Sequence, residues 1–110
     1  MPNNLPPLGP KTLRLTRTAE ADFDSIIDYI DNEAGDVIAQ RFADALDAEL
    51  MKLALLGHGG VSREAVSCGL RLTVFGNYCI YFRLTEDETI IVRILHGARD
   101  TKHISFDAEG

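Results

Sequence analysis

Residues 70–95 read LRLTVFGNYCIYFRLTEDETIIVRIL and decide the fold. Apolar side chains alternate with other residues from Leu70 to Val74, from Tyr78 to Leu84 and again from Ile90 to Ile94. A period of two is typical of β-strands, and the intervening stretches FGN and TED carry residues that favour turns. The segment therefore predicts a three-stranded antiparallel meander.

The register of the first hairpin decides which side chains face the core, because a slip of one residue turns a strand over. A two-residue loop of Gly76 and Asn77 would set the first strand beside Cys79, Tyr81 and Arg83. A three-residue loop, with Asn77 in the left-handed region, would produce the other register. We expect the three-residue loop, since it gives one continuous apolar face for helices to cover. That face would consist of Leu70, Leu72, Val74, Tyr78, Ile80, Phe82, Ile90, Val92 and Ile94.

The opposite face of the predicted sheet mixes charged and apolar side chains. It would carry Arg71, Thr73, Cys79, Tyr81, Arg83, Ile91, Arg93 and Leu95. Apolar side chains among arginines on an exposed face are typical of a surface that binds a partner. Arginines there could hold a partner's carboxylates through bidentate hydrogen bonds. This face is therefore a candidate binding surface.

A strand and two amphipathic helices precede the meander. Residues 12–16 alternate as a short strand, and Thr18 is the expected N-cap of the first helix. Gly35 ends this helix and Asp36 caps the second, which runs to the glycine-rich break at residues 57–60. Because the link is so short, the helices must fold back as a hairpin. The expected fold is α+β, with an N-terminal strand and an antiparallel helical hairpin packed on the antiparallel three-stranded meander.

Length and composition indicate one domain with one core. The chain has 110 residues, and all four prolines fall within residues 1–11. We expect residues 1–11 to be a flexible leader, residues 12–100 the folded domain and residues 101–110 a C-terminal tail. No apolar run approaches the roughly 18 residues of a membrane span, and no signal-peptide pattern is present. A cytoplasmic location without membrane contact is therefore expected.

The cysteines and histidines indicate neither a metal site nor another cofactor. The two cysteines and three histidines form no C-x-x-C or H-x-x-x-H pair, which metal sites commonly use. In a reducing cytoplasm two cysteines are more often buried thiols than a disulfide. We expect no cofactor.

The charge distribution argues against a protein that grips a phosphate backbone. The formal net charge is −6, whereas such domains usually carry a basic excess. Residues 20–49 hold ten acidic residues against Arg41 alone, while residues 61–102 hold six basic and five acidic residues. The protein therefore has an acidic half and a mildly basic half, and direct nucleic-acid binding is not expected.

Three short motifs complete the pattern. The first helix contains A-x-x-D-x-x-x-I-x-x-Y-I, formed by Ala19, Asp22, Ile26, Tyr29 and Ile30. Tyr78 follows the glycine turn, and residues 93–100, RILHGARD, end the last strand with His96, Arg99 and Asp100. With these motifs in this order along the chain, about residues 12–100 resemble the ParE branch of the ParE/RelE toxins of bacterial toxin–antitoxin pairs.

The resemblance implies a small toxin that poisons DNA gyrase and blocks replication, without enzymatic activity of its own. A ParD-like antitoxin would neutralise it. The residues expected to bind antitoxin are Arg71, Tyr81, Arg83, Ile91 and Arg93. Those expected to bind the target are His96, Arg99 and Asp100.

Two alternatives remain open at this point. RelE members of the superfamily cut messenger RNA in the ribosome, which requires basic residues for docking and a Tyr, His or Glu as acid and base. Lys52 is the only lysine of the second helix, and the net charge opposes docking on RNA. The histidines His58, His96 and His103 remain as proton-transfer candidates. The other alternative is an inactive toxin fold that serves only as a binding partner.

Overall fold

The computed structural model describes residues 10–57, 59–97 and 101–109. Its elements are β1 (Thr12–Leu15), α1 (Arg17–Ala34), α2 (Asp36–Leu56), β2 (Val61–Ser62), β3 (Arg71–Phe75), β4 (Tyr78–Leu84) and β5 (Glu88–His96). The strands form one sheet in the order β1-β5-β4-β3-β2, in which β1 runs parallel to β5 and the other pairs are antiparallel. The predicted α+β fold is confirmed, and the short edge strand β2 is an addition to it. Residues 1–9 of the expected leader lie outside the described residues.

The junction between β1 and α1 is held by Thr16, not by Thr18, the expected N-cap. Thr16 Oγ1 accepts a hydrogen bond from the N–H of Ala19 at 3.0 Å, which satisfies a free amide of the first turn. The same hydroxyl donates to the carbonyl oxygen of Val92 in β5 at 3.1 Å. The expectation for Thr18 was wrong because Thr16, directly after the strand, can cap the helix and bind the sheet at once.

A single residue, Gly35, joins the two helices. Its φ of 89° lies in a region that other residues rarely adopt. Asp36 is the first residue of α2 and makes no cap, contrary to expectation, because Gly35 already occupies the N-cap position. Gly57, with a left-handed φ of 68°, ends α2 at the predicted break. Within the described residues, neither helix is long and apolar enough to cross a membrane.

The hairpin between β3 and β4 has the two-residue loop that we did not expect. Leu72 lies opposite Tyr81, and Gly76 and Asn77 form the loop. Gly76 has a φ of 59°, whereas Asn77 does not have a positive φ, as in a type II′ turn. The expected three-residue loop was wrong because Gly76 alone supplies the positive φ, and a primed two-residue turn matches the natural twist of the strands.

A β-bulge in β5 changes which of its side chains face the helices. Tyr81 pairs with Arg93, whereas the next residue, Phe82, pairs with Ile91, which leaves Val92 as an extra residue in β5. The expected alternation of Ile90, Val92 and Ile94 was therefore wrong. The side chains of β5 that pack with the helices are Ile91 and Ile94, and those on the opposite face are Ile90, Val92 and Leu95.

The helical hairpin covers one face of the sheet and forms the first core. Its buried residues are Ala19, Ile26, Leu46, Leu50, Leu53, Ile80, Phe82, Ile91 and Ile94. The partly buried Phe42 of α2 extends this core, because its ring lies edge-on to the rings of Phe75 and Tyr78 at centroid distances of 5.6 Å. The first core therefore reaches the ends of β3 and β4.

The opposite face of the sheet forms a second core. Its buried residues are Leu70, Leu72, Tyr81, Ile90, Val92, Leu95 and Phe106. Phe106 belongs to residues 101–109, and its ring centroid lies 4.7 Å from that of Tyr81. The expectation of an exposed mixed face was wrong, because the C-terminal residues of the same chain cover it.

We expect Phe106→Ala to lower the free energy of unfolding by about 3 kcal/mol, because the side chain is only 6% exposed and its loss leaves a cavity in the second core. The matched control Ser105→Ala changes an exposed neighbour and should cost less than about 0.5 kcal/mol. Urea unfolding of both variants measures the difference. Equal stability of the two variants would contradict a stabilising role for the C-terminal residues.

Candidate functional site

A cavity of about 350 Å³ opens between α1 and the end of β5. Its lining residues are Asp22, Ser25, Ile26, Tyr29, Tyr78, Ile94, Leu95 and His96. Residues three or four apart on a helix share a face, which explains why the α1 motif contributes side chains at regular intervals. Motifs that are far apart in the sequence, in α1, at the glycine turn and at the end of β5, therefore meet at one place.

Aromatic rings form a large part of the cavity lining. The rings of Tyr78 and His96 lie perpendicular, with a centroid distance of 5.7 Å and an interplanar angle of 86°. Phe42 supports Tyr78 from the first core. Tyr29 is 60% exposed, whereas Ile26 and Ile94 are buried. The cavity thus combines a buried apolar base with phenol and imidazole groups, a lining typical of binding sites.

Asp22 fixes the position of α1 against β5. Its carboxylate accepts hydrogen bonds from Arg93 Nε at 2.7 Å and Arg93 Nη2 at 2.9 Å. It also accepts one from the backbone N–H of Ile94 at 2.9 Å. A bidentate arginine–carboxylate pair is stronger and more directional than a single neutral hydrogen bond. Asp22 therefore both satisfies a backbone amide of β5 and positions one wall of the cavity.

The pairing with Asp22 also affects the electrostatics of Arg93. The hydrogen bond to Asp22 raises the pKa of Arg93 above its ordinary value, and partial burial opposes this increase. The side chains are 14% exposed for Arg93 and 13% exposed for Asp22. The two charges therefore neutralise each other beside the cavity.

The residues expected to bind the target fall at the end of β5. His96 is exposed and lines the cavity. Arg99 and Asp100 lie outside the described residues. The structure therefore places one of these three residues at the cavity.

Two of the residues expected to bind antitoxin are buried within the chain. Tyr81 packs beneath Phe106 in the second core, and this burial raises the pKa of its phenol. Cys79 adds to the increase, and Arg63 opposes it. Ile91 is fully buried under the helices, because the bulge turns it to that face. The premise that these side chains are exposed was wrong.

The three arginines expected to bind antitoxin make hydrogen bonds within the chain. Arg71 donates to the carbonyl oxygens of Gly59 at 2.7 Å and Gly60 at 3.2 Å, and so holds the loop after α2. Arg93 binds Asp22. The contacts of Arg83 are with the carbonyl oxygens of Cys68 and Phe106 and with Ser67 Oγ. The arginines thus tie loops, helix α1 and the C-terminal residues to the sheet.

The sequence motifs contain several residues of the cavity lining but do not predict that they lie together. Asp22, Ile26, Tyr29 and Tyr78 were recognised as motif residues, Tyr78 also as part of the apolar sheet face, and Ser25 was not singled out. The three- and four-residue spacing of Asp22, Ser25 and Tyr29 could have indicated one helix face. Within residues 10–57, 59–97 and 101–109, no group of three or more His, Cys, Asp or Glu side chains is placed to hold a metal ion.

Comparison with known proteins gives one family and two structural neighbours. The family model described as the ParE toxin of the type II toxin–antitoxin system parDE matches residues 13–101. A structure described as the chromosomal ParDE system from P. aeruginosa has a TM-score of 0.68 and 25% identity, covering 78% of this chain and 95% of that chain. A second structure, the RelBE2 toxin–antitoxin complex from Mycobacterium tuberculosis, has a TM-score of 0.48 and 21% identity. The match covers 79% of this chain and 98% of that chain. The curated proteins compared contain no significant match.

We expect Asp22→Ala to lower the free energy of unfolding by about 3 kcal/mol, because it leaves Arg93 largely buried without its counter-charge and removes the acceptor of the Ile94 amide. Asp28→Ala, an exposed carboxylate on the same helix, is the matched control and should change stability by less than about 0.5 kcal/mol. Thermal or urea unfolding provides the comparison. A loss no larger than that of the control would rule out the anchoring role.

Proposed function

Because this chain belongs to the ParE toxin family of type II toxin–antitoxin systems, we propose that it inhibits DNA gyrase and so blocks replication, and that a ParD-like antitoxin neutralises it in the cytoplasm. The observation that carries the proposal is the cavity at which the α1 motif and the end of β5 meet. His96 is exposed there, directly before residues 97–100. We assign target binding to His96, Arg99 and Asp100.

The surface charge supports a protein target over a nucleic acid. Between residues 17 and 56 ten acidic side chains stand against three basic ones, Arg17, Arg41 and Lys52. A domain that binds phosphates through electrostatics needs the opposite balance. Inhibition of an enzyme by direct contact is consistent with this charge, whereas docking on ribosomal RNA is opposed by it.

The proposed antitoxin site lies on α2. The five residues expected from the sequence to bind antitoxin are left out, because they are buried or hydrogen-bonded within the chain. Exposed large apolar side chains instead recur along α2, at Val37, Ile38, Met51, Leu55 and Leu56. A disordered antitoxin segment that folds into an amphipathic helix could cover them.

One observation favours a second candidate, a ribosome-dependent endonuclease of the RelE type. Two phenols, Tyr29 and Tyr78, and the imidazole of His96 line the same cavity, and such groups can act as acids and bases. In that case His96→Ala would abolish cleavage of messenger RNA in a translation extract. The negative net charge makes this the weaker candidate.

We expect antitoxin-free protein to abolish supercoiling by purified gyrase while leaving message intact in a parallel translation reaction. His96→Ala and Arg99→Ala should each weaken inhibition at least about fivefold, on the scale of residues at the centre of an interface. Arg41→Ala removes the same charge as Arg99→Ala from an exposed position on α2 and should leave inhibition unchanged.

The competing outcomes of this experiment are distinct. Cut message with normal supercoiling would overturn the gyrase proposal in favour of the endonuclease. If the protein is folded and binds antitoxin but neither inhibits supercoiling nor cuts message, it is an inactive binding partner.

For the antitoxin, we expect Leu55→Asp to weaken binding at least about tenfold, because it places a charge where a helix would bury an apolar side chain. Leu55 is 61% exposed, so the fold should tolerate the change. Val66→Asp alters an exposed apolar side chain in the loop before β3 and serves as the control. Titration calorimetry with the ParD-like antitoxin measures the affinity of each variant. Equal affinities of the two variants would exclude this face of α2 as the antitoxin site.

A further inference from the structure

We propose that the cavity between α1 and the end of β5 is a receptor for an arginine side chain of a partner protein. The inference deepens the proposed function and rests on its premise that this end of the sheet contacts another protein.

The aromatic lining suits a planar cation. Tyr29, Tyr78 and His96 all line the cavity, and Tyr78 and His96 are perpendicular, so their rings offer differently oriented surfaces. A guanidinium group is planar, stacks on aromatic faces and is less strongly hydrated than an ammonium group. Arginine is therefore favoured over lysine as the occupant.

The polar groups of the cavity complement the same ligand. Hydroxyl oxygens of Ser25, Tyr29 and Tyr78 can accept hydrogen bonds, and a guanidinium offers five N–H donors. Glu33 is exposed and lies four residues beyond Tyr29, which places it one turn further along the same face of α1. A carboxylate is therefore available on this face of the helix near Tyr29.

The charge of the surroundings selects a cation over a neutral aromatic anchor. Arg93 is paired with Asp22, so its charge does not oppose an incoming guanidinium. Apart from Asp22, residues 18–34 contain five acidic and no basic side chains, so the remaining charge of this part of α1 is negative. A volume of about 350 Å³ lies at the lower end of the range for small-ligand sites, as expected for a single large side chain.

The test is a titration of the isotope-labelled full chain, followed by NMR, with Nα-acetyl-arginine methylamide as the probe. The matched probes are the corresponding derivatives of lysine, citrulline, which keeps the shape without the charge, and phenylalanine. We expect saturable shifts confined to the surroundings of Tyr29, Tyr78 and His96. Arginine should bind about two- to fivefold more tightly than lysine, and citrulline and phenylalanine should bind more weakly still.

Two variants at the exposed Tyr29 separate the ring from its hydroxyl. Tyr29→Leu should weaken arginine binding about two- to fivefold, whereas Tyr29→Phe should keep most of it, because the aromatic face remains. Absent or non-saturable shifts, shifts centred elsewhere, or equal binding of citrulline or phenylalanine would overturn the proposal. Failure here leaves the gyrase and antitoxin assays unaffected, and a failed gyrase assay leaves the arginine titration unaffected.

Discussion

The fold depends on one constraint, which is that β5 is apolar on both of its faces and must be covered on both. Ile91 and Ile94 face the helices, while Ile90, Val92 and Leu95 face the other way. Leaving either face in water would lose the main favourable contribution to folding. The helical hairpin covers one face of β5, and the C-terminal residues cover the other. The position of β5 between β1 and β4 then follows from its burial.

Polar contacts decide where the helices sit on that sheet. Thr16 and Asp22, six residues apart at the start of α1, both bind backbone groups of β5. Hydrophobic contact is non-directional, whereas these hydrogen bonds fix one register of helix against strand. The bidentate pair between Asp22 and Arg93 strengthens the same junction. Because this junction forms one end of the cavity, the contacts that stabilise the fold also set the geometry of the site.

The residues of the sequence motifs have two physical roles that the sequence does not separate. Ala19 and Ile26 are core residues and Asp22 anchors the helix, so these positions are explained by folding alone. Tyr29 and His96 are exposed and line the cavity, and the ring of His96 also packs against that of Tyr78. Exposed aromatic side chains at a cavity are typical of binding surfaces. The functional proposals therefore rest on the exposed motif residues, while the buried motif residues position them.

The sequence by itself determined both helices, every strand except the short edge strand β2, their order along the chain and the α+β class, because periods of 2 and 3.6 residues and glycine breaks are local properties. It also identified Asp22, Tyr29, Tyr78 and His96 as motif residues. Only the tertiary structure decided the sheet faces, because the turn type inverts the side chains of β3 and the bulge inverts those of β5 that precede it. It also decided that Arg83 and Tyr81 are covered by residues 101–109, since that contact joins segments more than 20 residues apart and leaves no periodic trace.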